Sequence, residues 1–204
     1  MSTRSLVVVT AGLSQPSSTR LLADRLAAAT SRAMAERGEA VDVRVVELRE
    51  LANELTNHLL TGFPSGALAE AVEAVRTADA LIAVTPIFNA SYSGLFKTFF
   101  DVLDEGSLDG VPVLLAATGG TARHSLAVDF AMRPLFAYLR ADAVATGVFA
   151  ASEDWGSAGR HGPLGRRIER AGGELAAAVA GRPRVQRVDP FDEPTPFEQL
   201  LAGG

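Results

Sequence analysis

Residues 81–101 read LIAVTPIFNASYSGLFKTFFD, and this stretch predicts the class of fold. Its first four residues are an unbroken apolar run, which is typical of a strand covered on both faces. We expect the strand to end at Pro86, because proline has no N–H to donate to the sheet, and residues 87–90 to form a loop. Ser91 and Ser93 are alternative N-caps for the helix that follows. A strand, a loop and a helix in this order build a crevice at the carboxyl edge of an open α/β sheet.

The rest of the chain alternates between strand-like and helix-like periodicity. Further strands are predicted at residues 5–10, 41–48, 111–117 and 143–150, and helices at residues 17–36, 66–78, 125–139 and 166–180. This succession predicts an α/β, flavodoxin-like three-layer sandwich with a five-stranded parallel sheet of order 2-1-3-4-5. Pro134 should make the helix around it irregular. We expect residues 1–180 to form one domain, and residues 181–204, rich in proline and acidic side chains, to form a C-terminal arm.

The composition narrows the class of protein. The chain has 204 residues, 48% of them apolar and 21% charged, as in an ordinary globular domain. Its net charge of −5 argues against a general nucleic-acid binder, which needs a basic face. The lack of cysteine excludes disulfides, thiolate metal sites and cysteine nucleophiles. No apolar run approaches the roughly 18 residues of a membrane span, so we expect a cytoplasmic protein without a membrane anchor.

The first candidate binding loop follows the first strand and reads TAGLSQPSSTR, residues 10–20. It lacks both the dinucleotide-binding and the P-loop glycine patterns. Its hydroxyl side chains stand where the first helix begins, at Ser14, Ser17, Ser18 and Thr19. Free N–H groups and the helix dipole make such a turn an anion site, and hydroxyl donors suit a terminal phosphate. An ordinary capped helix start is the alternative interpretation.

Two further loops follow the third and fourth strands. Backbone amides around Ile87, Phe88 and Asn89 can hydrogen-bond the edge of a planar ring, with Phe88 as an apolar wall. In the other loop, Gly119 and Gly120 allow the backbone to approach a flat ligand closely. All three loops should lie beside the point where the strand order reverses. Together they predict a site for a phosphorylated planar molecule such as flavin mononucleotide, FMN.

Three stretches of the sequence also resemble a known family. They are SQPSSTR, TPIFNASYSGLFKTFFD and LLAATGGTARHSLAVDFAMRPLF. They resemble NAD(P)H-dependent FMN reductases of the flavodoxin-like kind, which supply reduced flavin to two-component monooxygenases. The chain departs from the family pattern at Pro16, near where some relatives carry arginine, and at Phe130, where tyrosine is common.

The resemblance implies a set of FMN contacts. Those to the phosphate would come from Ser14, Ser17, Ser18 and Thr19. Those flanking the isoalloxazine would come from Pro86, Ile87, Phe88 and Asn89, and those lining its other side from Thr118, Gly119, Gly120 and Thr121.

The sequence predicts neither a catalytic side chain nor a metal site. Hydride transfer from NADPH or NADH to flavin needs no protein nucleophile, and the histidines lack metal-ligand spacing. His124 lies either beside the flavin or simply at a helix start. A basic cluster either meets the 2′-phosphate of NADPH or is a solvated helix face. Its members are Arg160, His161, Arg166, Arg167 and Arg170.

The helix within residues 81–101 is apolar more than halfway round, because Leu95 and Val102 extend its stripe of phenylalanines. One face suffices to cover the sheet, so the excess predicts a homodimer or homotetramer. The PFEQLL motif of the arm is either a docking segment or a frayed tail. Two other functions stay open: reduction of quinones, azo dyes or metal oxyanions on bound FMN, and a flavodoxin-like electron carrier.

Overall fold

The computed structural model describes residues 3–156 and 162–182. The strands are β1 (Thr3–Thr10), β2 (Ala40–Glu47), β3 (Ala80–Phe88), β4 (Ser91–Tyr92), β5 (Pro112–Gly119), β6 (Asp142–Ala143) and β7 (Val148–Ala151). The helices are α1 (Ser18–Ala35), α2 (Ala52–Thr61), α3 (Gly66–Arg76), α4 (Gly94–Asp101), α5 (Arg133–Tyr138) and α6 (Pro163–Ala180). The predicted arm, from residue 183 onward, lies outside the described residues.

The sheet confirms the predicted strand order. Its path is β2-β1-β3-β5-β6, all parallel, with β7 also beside β5 and β4 antiparallel to β3. Within the described residues the sheet has seven strands and not five, partly because the predicted strand at 143–150 is divided into β6 and β7. Arg133 donates to the carbonyls of Val144 and Ala145, and Glu174 accepts from the N–H of Thr146. Side chains therefore bind the backbone groups of this link, in place of a continuous ladder.

The prediction that β3 ends at Pro86 was wrong. β3 continues to Phe88, and Pro86 lies opposite Thr118 of β5. The carbonyl of Val84 accepts from Ala11, so Val84 turns its backbone groups toward β1. Pro86, two residues later, has the same orientation, but β1 has already ended at Thr10. Its missing N–H therefore leaves no hydrogen bond unmade.

Two apolar layers enclose the sheet, as the three-layer prediction requires. On one face α1 and α6 cover β1, β3 and β5, with Leu22, Leu26 and Ile168 buried. On the other face α3, α4 and α5 pack down, and the phenylalanines of α4 are fully buried. Alternate residues of each central strand point into the two layers. Both faces of the sheet are thus covered, while its carboxyl edge is left for loops.

The segment after β5 is irregular, as Pro134 predicted. A 3₁₀ turn at Ala122–His124 is followed by a π-helical turn at Val128–Met132, and only then by α5. Pro134 lies in the first turn of α5, where its missing N–H has no helical partner to lose. No helix among residues 3–156 and 162–182 is long and apolar enough to cross a membrane.

Candidate functional site

The three predicted loops meet at the carboxyl edge of the sheet. Thr10 pairs with Val84, and Pro86 pairs with Thr118, so β1, β3 and β5 deliver their loops side by side. A direct bond joins the first loop to the third, because the hydroxyls of Thr19 and Thr118 lie 2.8 Å apart. Both threonines are buried. This bond fixes the start of α1 against the end of β5, and a ligand between the loops would find both already positioned.

The first loop folds tightly around the start of α1. A Cβ on Gly12 would lie 2.1 Å from Ser17 Oγ, so any other residue there would have to displace this hydroxyl from its position at the start of α1. Ser17, which the sequence places inside the predicted helix at residues 17–36, is the N-cap of α1 and accepts from the N–H of Arg20 at 3.2 Å. Ser14 and Ser18 are exposed. The loop therefore leaves two hydroxyls and the Ser17 proton free to donate at a helix N-terminus, which suits an anion such as a phosphate.

The second loop is a hairpin and not an open loop. Ile87 and Phe88 belong to β3 and pair with β4, leaving Asn89 and Ala90 as a two-residue turn. Both turn residues have positive φ, 49° and 71°, as a type I′ turn requires. The side chains of Pro86 and Ile87 are buried, so they can offer a ligand only backbone groups. Phe88 and Asn89 are exposed toward solvent.

Thr85 holds this hairpin in place, a role that the sequence did not reveal. Its buried hydroxyl donates to the carbonyl of Pro86 at 2.9 Å and accepts from the N–H of Ser93 at 3.1 Å. Ser93 in turn caps α4 by accepting from Phe96. One side chain thus couples the end of β3 to the start of α4.

The third loop has two glycines with different roles. A Cβ on Gly119 would lie 2.8 Å from the ring of Phe149, so this glycine is required for packing. A Cβ on Gly120 would meet no atom of the described residues within 4 Å. Gly120 and Thr121 are exposed, whereas Thr118 is buried. Gly120 therefore presents bare backbone to open space, where a planar ring could approach it.

Arg49 also contacts the site, although the sequence gave no reason to select it. It follows β2, which also ends at the carboxyl edge. With the Gln15 amide oriented to satisfy both groups, its carbonyl accepts from both terminal nitrogens of Arg49, one of them at 3.1 Å. Gln15 lies in the middle of the first loop. A charged residue directly after a predicted parallel strand was the signal that could have found it.

The basic cluster is only partly described. Arg166, Arg167 and Arg170 line an open cleft of about 430 Å³ beside the β6–β7 link, while residues 160 and 161 lie outside the described residues. Arg170 donates to Glu174 at 3.0 Å. A larger cavity, about 490 Å³, opens between α4 and α5 at the opposite edge of the sheet. Since the three loops do not line it, we place the site at the carboxyl edge.

Comparison with known proteins shows the family to which the chain belongs. A sequence model of a family described as NADPH-dependent FMN reductase matches residues 5–156. The NADH-dependent FMN reductase SfnF of Pseudomonas putida is 40% identical over 148 residues, 72% of this chain and 77% of that protein. The FMN reductase (NADPH) of Pseudomonas aeruginosa is 34% identical over 186 residues, 90% of this chain and 96% of that protein.

A solved structure is similar over nearly the whole chain. An oxidoreductase from Corynebacterium diphtheriae has a TM-score of 0.84 and 48% identity, with 89% of this chain and 99% of that chain covered. The family match spans more than half of the chain and includes all three loops. The chain is an oxidoreductase that reduces FMN with NAD(P)H, and it belongs to the NADPH-dependent FMN reductase family.

Proposed function

We propose that this enzyme binds FMN across the three loops of the carboxyl edge and passes the reduced flavin to a partner monooxygenase. The observation that carries the proposal is the Thr19–Thr118 hydrogen bond, which joins a phosphate-type helix start to a glycine loop suited to a flat ring. Neither loop alone distinguishes FMN from other ligands. Their fixed separation, with the β3–β4 hairpin beside them, suits a molecule with a phosphate at one end and a planar ring at the other.

The phosphate end would lie at the start of α1. Ser14 and Ser18 are exposed there, and Ser17 keeps its own proton to donate. The Thr19 hydroxyl is already bonded to Thr118, so its contribution would be the free N–H of the first helical turn. In the part of the chain that the structure describes, the buried hydroxyl of Thr10 at the end of β1 has no hydrogen-bond partner, and it lies next to this loop. These groups fit a terminal phosphate.

The ring end would lie between the hairpin and Gly120. Bound FMN supplies the hydride-accepting ring, and the protein needs no nucleophile for that step. Backbone groups of Pro86 and Ile87 would face the ring edge, and Asn89 would add a polar side chain at the turn. Phe88, 47% exposed, would form an apolar wall that excludes water. On the other side the backbone of Thr118, Gly119, Gly120 and Thr121 would lie along the ring.

Three further features belong to the proposal. We expect a homodimer or homotetramer, a cytoplasmic location where NADH and NADPH are supplied, and exchange of flavin with a flavin-dependent monooxygenase. The relatives do not decide the hydride donor, because one is named for NADH and the other for NADPH. Arg166, Arg167 and Arg170 line the cleft beside the β6–β7 link. A preference for NADPH would follow from contact between these arginines and the 2′-phosphate of that cofactor.

Steady-state oxidation of NADPH and NADH, with and without added free FMN, tests the proposal. We expect turnover that depends on added FMN and does not require a quinone. A Gly120→Val variant should fold normally and lose most FMN-dependent turnover, because the new side chain would occupy the open space above the loop. Quinone-dependent turnover on tightly retained FMN would instead indicate a quinone or azo reductase. Absence of nicotinamide oxidation would indicate an electron carrier.

A further inference from the structure

The only basic side chain of the first loop, residues 10–20, is that of Arg20. Residues 10–19 contain neither lysine nor arginine, and Pro16 stands in their middle. Arg20 is the nearest basic residue in sequence, but its guanidinium donates to Asp24 at 2.8 Å and also bonds Glu47. The Asp24 hydrogen bond, opposed by partial burial, raises the pKa of Arg20, so it remains charged and committed to these carboxylates. A phosphate monoester carries nearly two negative charges at neutral pH, and this loop alone offers it only neutral donors.

Arg49 reaches the same loop from the neighbouring strand. With the Gln15 amide oriented as above, both of its terminal nitrogens donate to the Gln15 carbonyl. Its Nε is buried, has no hydrogen-bond partner among the described residues and lies 3.6 Å from Glu47 Oε2. The side chain is 22% exposed. A guanidinium this well enclosed interacts with a nearby anion through less water than a surface arginine does.

Two carboxylates lie close to the Arg49 guanidinium, so its positive charge matters more for binding an anion nearby. Glu47 lies beside Arg49, and Glu50 lies 3.8 Å from it. Without Arg49, Glu47 would keep only its pair with Arg20, and Glu50 would lose its contact with this guanidinium, so the negative charge near the first loop would be less well balanced and would repel a dianion. The arginine therefore has two effects on a phosphate at this loop: direct attraction, and screening of the acids next to it.

We propose that Arg49 supplies the positive charge that selects a terminal phosphate monoester at the first loop, acting together with Gln15. The proposal rests on the FMN site proposed above and goes beyond it, because it makes Arg49 the residue that distinguishes FMN from riboflavin. FMN carries such a phosphate on its ribityl chain. NADPH carries the same group on its adenosine ribose, and the experiment must separate the two sources.

The test compares FMN and riboflavin binding, by quenching of flavin fluorescence, for the wild type and Arg49→Gln. We expect the variant to bind FMN about tenfold to a hundredfold more weakly and riboflavin almost unchanged. Arg49→Lys keeps the charge and should recover part of the FMN affinity. Arg44→Gln is the matched control, because Arg44 is an exposed β2 residue that pairs with Glu70, and it should change neither affinity.

The salt dependence of FMN affinity tests the role of charge separately from the shape of the site. Wild-type affinity for FMN should fall as ionic strength rises, and Arg49→Gln should show a shallower fall. Equal weakening of FMN and riboflavin, or no change in either, would overturn the proposal. So would a lower preference for NADPH over NADH with FMN binding intact, since the phosphate would then be that of the hydride donor. If the wild type bound no FMN at all, the FMN site itself would be wrong, and that failure is separate from any of these.

Discussion

At the scale of single residues, Glu174 shows how one carboxylate can replace part of a sheet ladder. It accepts from the N–H and the hydroxyl of Thr146, each at 2.7 Å, and from Arg170 at 3.0 Å. Burial raises the pKa of Glu174, but the bonds from Thr146 and the charge of Arg170 outweigh it, and the net pKa is lowered. The ionised form is therefore the one that stabilises the link between β6 and β7.

The stability of the protein should depend on pH through this residue. Because the folded pKa lies below the ordinary value of 4.5, the stabilisation is complete above that pH and is lost as the pH falls through the folded pKa. Glu174→Gln should lower the free energy of unfolding by about 1–2 kcal/mol at neutral pH, and the difference should vanish in acid. Urea unfolding at several pH values measures this. Glu153→Gln, at an exposed carboxylate, is the control, and an equal loss at all pH values would contradict the assignment.

Residue roles were predictable where the chemistry is local. Ser93, one of two predicted alternatives, is confirmed as the cap of α4, and it was recognisable because a cap bonds an N–H a few residues away. Ser17 caps α1, which fits the alternative interpretation of a capped helix start. The Thr19–Thr118 bond joins residues 99 positions apart. Arg49 and Gln15 are likewise distant in sequence. Such contacts depend on the register of three strands, which periodicity does not determine.

At the scale of elements, α1 and α6 approach each other closely on one face of the sheet. A Cβ on Gly172 of α6 would lie 2.9 Å from the backbone nitrogen of Thr30 and 3.0 Å from Ala29. The contacting atoms are the nitrogen of Thr30 and the carbonyl carbon and Cβ of Ala29. None of them can move away by rotation of a side chain. Gly172 is therefore what allows the two helices to lie this close.

The neighbouring glycine gives a matched comparison. Gly172→Ala should reduce the free energy of unfolding by about 1–3 kcal/mol, because the helices must separate. Gly173→Ala, where a Cβ would meet no atom within 4 Å, should raise it by up to about 1 kcal/mol through helix propensity. Thermal or urea unfolding of the two variants measures these changes in the free energy of unfolding. Equal effects of the same sign would show that the packing of α1 on α6 is not limiting.

Strands and helices were predictable where the apolar residues of a segment follow a single period. Strands and helices of the central layers followed from their apolar patterns. The β3–β4 hairpin did not, because Pro86 signals a strand end and only the absence of β1 beside it makes the proline acceptable. The π-helical turn before Pro134 was foreseen as an irregularity, but its type depends on how the segment packs against β5.

At the scale of the whole molecule, the exposed apolar side chains are not evenly distributed. Leu95 and Val102, which suggested a subunit interface on α4, are partly buried against the core. Within residues 3–156 and 162–182, the exposed ones lie mostly in segments that follow carboxyl ends of strands. They include Leu13, Leu59, Leu60, Phe63, Phe88, Leu126 and Phe130. Apolar surface gathered around the proposed flavin site favours an oligomer whose subunits meet at that edge.

Substitution at the two ends of the molecule tests this interface. Phe63, 79% exposed after α2, belongs to the carboxyl edge, whereas Tyr138, 85% exposed at the end of α5, lies at the opposite edge. We expect the wild type to elute as a dimer or tetramer in size-exclusion chromatography with light scattering. Phe63→Ser should shift it toward the monomer at micromolar concentration, and Tyr138→Ser should not, because only the first removes apolar surface from the proposed contact. A monomeric wild type would exclude an oligomer, and dissociation by Tyr138→Ser alone would move the interface to the other edge.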